Sequence, residues 1–147
     1  MINWWTETTH DAYTNKAQCF VDQYSKLVEP ITKTKVDGLL TLFHNIADNG
    51  GIELAYGAYL DWVQAQEAEL PLPNFKYTSN QLFWISAAQT WCQNIKPEKL
   101  ITDMATKVYA PRQFRVNIPF SNSPSFNEDW KCPVGSKMNP AAKCKLW

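Results

Sequence analysis

Apolar residues recur at helical spacing over most of the chain. From Asn3, whose side chain suits an N-cap, Tyr13, Ala17, Phe20, Tyr24 and Val28 fall three or four residues apart, and Pro30 stops the run. A second run starts at about Gly38, carries Leu39, Leu40, Phe43, Ile46 and Ala47, and resumes beyond Gly50-Gly51 at Ile52, Ala55, Tyr59 and Trp62-Val63. Each glycine weakens a helix by about 1 kcal/mol relative to alanine. Because the period recovers in register, the pattern predicts one long helix with a weakened or bent middle.

The second half reads differently. Pro71-Leu72-Pro73-Asn74 is a loop, Ser79 caps a helix that reaches Cys92, and Pro97 opens another at its first turn with Leu100, Ile101 and Met104. Beyond Pro111, Phe114, Val116 and Ile118 alternate, which predicts a short extended segment. The Asn-, Pro- and Ser-rich remainder is a loop-rich tail with one helical turn near 126–130. No internal repeat and no dividing linker is visible. The expectation is a mainly α fold, a single helical domain over 1–147.

Composition narrows the class. A length of 147 residues with 45% hydrophobic positions supports one core. The 14 basic and 14 acidic residues cancel, so no global field draws the chain to nucleic acid or an anionic membrane. No apolar run approaches the roughly 18 residues of a membrane span, and the first residues lack a signal-peptide pattern. The seven Trp are expected mostly in the core, with a contact patch or a surface for a missing portion as the alternatives. Four Cys without a Cys-x-x-Cys pair suit disulfides in an oxidising space; a reduced cytosolic protein with buried thiols is the other reading.

Candidate chemistry concentrates at His44-Asn45-Ile46-Ala47-Asp48-Asn49-Gly50-Gly51. His44 and Asp48 are four apart, so on a helix they share a face and can hydrogen-bond or pair. Imidazole is a good zinc ligand and a neighbouring carboxylate a normal partner to it. A zinc site needs three protein ligands, and the other histidine, His10, falls on a different predicted helix. A mixed site with Cys thiolates competes with disulfide formation for the same sulfurs.

The octet resembles the Glu-Asn-Ile-Ala-Asp-Asn-Gly-Gly helix of the neprilysin and endothelin-converting-enzyme family of zinc metalloendopeptidases, with His44 in place of the Glu. The resemblance continues through Trp4-Trp5, Gln18-Cys19 and Gln23-Tyr24, then Gln81-Leu82-Phe83, Ala88-Gln89 and Trp91-Cys92, then Phe114-Arg115-Val116, and ends on Met138-Asn139-Pro140, Lys143-Cys144 and Trp147. It implies the C-terminal part of such a peptidase domain. In the family the Glu is the third zinc ligand, and the Asp, here Asp48, steadies a metal-bound imidazole. The other two ligands and the general base come from an upstream His-Glu-x-x-His helix that does not occur in these residues. The resemblance therefore implies zinc for the family and no cofactor held by this chain.

Lys107-Val108-Tyr109-Ala110-Pro111 matches the family's Asp-Val-His-x-Pro, whose imidazole stabilises the oxyanion, so Tyr109 takes the place of that His and Lys107 that of the Asp. Arg115 matches an arginine that grips a substrate backbone carbonyl. A structural arginine tying a loop to a helix is the equal alternative. The resemblance also implies a Cys19–Cys144 disulfide. It assigns Cys92 and Cys132 to a missing N-terminal portion, or to each other. It implies an extracellular or secreted setting, or the ectodomain of a membrane-anchored parent. Three functions follow: an inactive neprilysin-like domain binding a peptide or protein, the C-terminal fragment of an active zinc endopeptidase, and a disulfide-held structural protein.

Overall fold

Capping chemistry decides where the helices of the computed structural model begin. It describes residues 4–66, 70 and 72–146, which hold six helices and, among the described residues, no strand. Asn3 lies outside the described residues; α1 (Glu7–Ser25) is capped instead by Thr6, whose hydroxyl accepts from the Thr9 N–H at 3.3 Å. α2 (Leu42–Gln64) runs unbroken through Gly50-Gly51, as the recovered period predicts. Thr78 caps α3 (Ser79–Gln89) in a reciprocal capping box with Gln81, so Ser79 is the first helical residue rather than the cap. α4 (Pro97–Thr106) opens with proline at its first turn. α5 (Arg112–Asn122) and α6 (Pro124–Asp129) complete the set. The short turn expected near 126–130 is α6. Among the described residues, no helix is long and apolar enough to cross a membrane.

The residues divide into two compact units, 4–47 with 95–111 and 144–146, and 48–66, 70, 72–94 with 112–143. In the first, Ala17, Phe20, Tyr24, Leu42, Ile46 and Leu100 are buried. α1 stops at Ser25, short of Pro30, because the chain turns to make a small bridge between Val28 and Lys35. Buried Glu29 holds that turn: its carboxylate accepts from the Ile31 and Thr32 N–H groups at 2.9 and 2.6 Å. Gly38 does not start α2. A Cβ there would overlap the Val21 carbonyl and the Ser25 hydroxyl of α1, so the residue is glycine for close approach. Asp37 then accepts from the Leu39 and Leu40 N–H groups, at 3.0 and 2.8 Å, in a turn ahead of the helix.

In the second unit Tyr56, Trp84, Phe120 and Phe126 form an aromatic core, with ring centroids 4.6 Å apart for Tyr56 and Trp84 and 5.0 Å for Trp84 and Phe120. Asp129 ties it together. Its carboxylate accepts from the Tyr56 hydroxyl at 2.5 Å, the Trp84 indole at 2.7 Å and the Asn80 amide at 3.1 Å. Among the described tryptophans only Trp84 is buried, while Trp4 and Trp62 are exposed, so the expectation of mostly core tryptophans fails.

The extended segment expected at 114–118 is also corrected, since these residues lie in α5. Phe114 and Ile118, like Val116 and Phe120, are four apart, so a run that alternates every second residue satisfies the helical period as well. Packing settles the ambiguity. As a helix the segment buries Pro119 and Phe120, and burial of a Phe side chain is worth about 1.5–3 kcal/mol. That offsets much of the cost of about 3 kcal/mol for a proline within a helix.

Candidate functional site

In the first unit His44 lies half-buried near the start of α2, its ring tilted 43° against Tyr109 with centroids 4.1 Å apart. Tyr109 follows α4, and 43% of it is exposed. The two positions singled out in the sequence, one for a metal ligand and one for an oxyanion donor, are thus in contact as an aromatic pair. Lys107 is the C-cap of α4 and pairs with Asp103 at 3.2 Å, while Lys99 bonds the same carboxylate. The hydrogen bond from Lys99 leads in holding the Asp103 carboxyl below its ordinary range; burial opposes it, and the Lys107 hydrogen bond adds to the lowering. Lys107 is committed along α4.

In the second unit Arg115, on α5, donates from Nε and Nη2 to the two carboxylate oxygens of Asp48 at 2.6 and 2.7 Å. The pair is largely shielded, with side-chain exposures of 15% and 11%. The guanidinium also lies over the Trp91 ring, its Cζ 4.0 Å from the centroid. The pairing of His44 with Asp48 expected from their spacing is therefore replaced at the carboxylate by a bidentate arginine, which has the better geometry for it. Asp48 holds Arg115 rather than an imidazole. Sequence reasoning found Arg115 and Asp48 separately but missed their bond and missed Trp91 as its third member. A spacing of 67 residues carries no local signal.

Zinc does not fit the donors among the described residues. His44 has no companions: among the described residues no group of three or more His, Cys, Asp or Glu is placed to hold a metal ion. His10 is exposed near the start of α1, beside Asp11 at 3.7 Å. Cys19 and Cys144 form the expected disulfide, with Cα atoms 5.6 Å apart. The alternative bridge between Cys92 and Cys132 is absent and both thiols are free. Cys132 packs on the aromatic core and Cys92 is exposed. The same unit carries an open apolar groove of about 500 Å³ between α2 and α3, lined by Ile52, Tyr59, Leu82 and Phe83 among others. Its lining offers hydroxyls, from Tyr59 and from serine and threonine residues, but no carboxylate, imidazole, amine or thiol.

Comparison with known proteins gives a consistent picture. The family model of Peptidase family M13 matches residues 1–146. Endothelin-converting enzyme homolog of Locusta migratoria is 44% identical over 98% of this chain and 20% of its own length. Neprilysin-2 of Drosophila melanogaster is 41% identical over 99% of this chain and 19% of its own. A solved structure described as Haemonchus galactose containing glycoprotein complex superposes with a TM-score of 0.88 at 35% identity, covering 95% of this chain and 24% of that one. The chain spans about a fifth of the length of the curated relatives it matches.

Proposed function

The chain belongs to Peptidase family M13, and from that premise we propose that it is the C-terminal region of a neprilysin-like zinc metallopeptidase that does not hydrolyse peptides as it stands and acts by binding a peptide or protein. The observation that carries this reading is His44: a ring occupies the position of the family's carboxylate ligand and packs on Tyr109. Without a metal-activated water the nucleophile itself is missing, not a fraction of the rate. Arg115, preset by Asp48 and Trp91, supports the recognition role, because a fixed guanidinium suits a backbone carbonyl. The Cys19–Cys144 disulfide supports an extracellular setting, secreted or as an ectodomain.

The test joins metal analysis after dialysis to cleavage of an internally quenched peptide by the purified chain. Chelator-sensitive turnover overturns the proposal. A His44→Glu variant gains no activity on this reading. Capture of partners by the wild-type chain, compared with Arg115→Ala, tests the binding half: identical partner sets refute it.

A second reading is favoured by the coverage of the relatives. Since the match spans about a fifth of them, this chain fits equally as the C-terminal part of an active endopeptidase whose zinc ligands lie upstream. Coding sequence for a His-Glu-x-x-His helix ahead of Trp4 is the discriminating observation.

A further inference from the structure

The guanidinium of Arg115 is fixed from two directions. Its edge meets the Asp48 carboxylate in two hydrogen bonds and its face meets the Trp91 ring at 4.0 Å. The bidentate bond sets the plane of the guanidinium relative to the carboxylate, yet it leaves the pair free to rotate together about the side-chain torsions of both residues. A ring against one face removes that freedom. Trp91 is well placed to do so. Its N–H bonds the Ala88 carbonyl at 3.0 Å, and the Cys92 N–H bonds that of Gln89 at 3.1 Å, so the ring is carried on a continuation of the last turn of α3. α3 is in turn anchored at Trp84 in the aromatic core.

We infer that Trp91 is a positioning residue, which orients Arg115 by stacking and closes one face of the guanidinium to water, so that a ligand carbonyl approaches it from a defined side. Tryptophan offers the strongest face for a cation among the aromatic residues. The functional half of this inference rests on the proposed recognition role of Arg115; the stack does not.

The experiment separates the two. The Arg115 Nε–H, held on Asp48 and close to the Trp91 ring, gives an amide-correlation NMR signal with slow solvent exchange and a ring-current shift. In the full chain, Trp91→Leu keeps apolar bulk and loses the π face, while Trp91→Phe keeps a ring. Trp91→Leu is expected to accelerate exchange of that proton about tenfold, on the scale of a cation–π attraction, with Trp91→Phe nearer wild type. A probe peptide, acetyl-Ala-Ala-Phe-Ala-Ala-amide, is titrated in parallel and is expected to follow the same order, with its dissociation constant raised about tenfold in Trp91→Leu. An unchanged Nε–H signal in Trp91→Leu overturns the positioning role, as does equal disruption by Leu and Phe. If the signal responds but peptide binding is absent, or indifferent to Arg115→Ala, the stack stands and the recognition reading falls.

Discussion

Removing the Asp129 carboxylate tests how the second unit is held together. Asp129 accepts from three side chains, and two of the donors belong to residues that are nearly inaccessible, Tyr56 at 3% and Trp84 at 1% exposure. In Asp129→Ala both lose their acceptor, and each buried donor left unsatisfied costs about 1–3 kcal/mol. Asp129 is itself partly exposed, so water reaches the vacated space and the sum is discounted. The expected loss is about 2–4 kcal/mol, a large share of the roughly 5–15 kcal/mol that stabilises a domain. Asp129→Asn retains one acceptor oxygen and should lose less. Urea unfolding followed by tryptophan fluorescence and near-ultraviolet circular dichroism measures it, and a cycle with Tyr56→Phe isolates the coupling. A loss below about 1 kcal/mol for Asp129→Ala, or additive single and double variants, refutes the view of Asp129 as a shared anchor.

The remaining predictions follow from single contacts. Burial first, and then the bond to Asp129, hold the Tyr56 phenol above its ordinary value of 10.0; this contribution is full below pH 10 and declines as the pH rises above it, so Tyr56→Phe should flatten the alkaline limb of a stability–pH profile. Burial pushes the Glu29 carboxyl up, but the Thr32 and Ile31 N–H groups outweigh it and leave it below 4.5; its contribution is present above that value and lost as the pH falls through the lowered one, and Glu29→Gln should remove this acid dependence. Gly38→Ala should cost about 1–3 kcal/mol in thermal or urea melts because the new methyl meets the α1 backbone, whereas Gly57→Ala, whose added methyl meets nothing within 4 Å, should gain about 0.5–1 kcal/mol. Replacing both Cys19 and Cys144 by Ser opens a bridge with a sequence separation of 125 and should cost about 2–5 kcal/mol, read against the oxidised chain in the same melts.

What the sequence revealed depended on how local the determining interaction is. The long α2 was legible because its period survives two glycines, and α4 because proline at a first turn needs no tertiary support. Helix starts were legible only to a few residues, since Thr6 and Thr78 are as ordinary in composition as the neighbours they prevail over. α5 was illegible for a physical reason: its residues fit two periods, and burial of Phe120 among rings from α2, α3 and α6 selects between them. The family resemblance supplied what periodicity lacked, placing the Cys19–Cys144 pair and marking His44, Asp48, Tyr109 and Arg115 before any contact was visible.

Naming candidate residues did not say what they touch. The spacing of four made His44 the natural partner for Asp48, yet a guanidinium offers two parallel donors to a carboxylate where an imidazole offers one. Arg115 therefore prevails once the fold brings α5 to Asp48. The His44 ring packs instead on Tyr109, a contact that a carboxylate at position 44 would not make with the same apolar area. Substitution at one position thus bears on its neighbour. On this reasoning His44→Glu would weaken the seating of Tyr109 and lower the melting temperature of the chain; an unchanged melt for that variant refutes the packing role of the His44 ring.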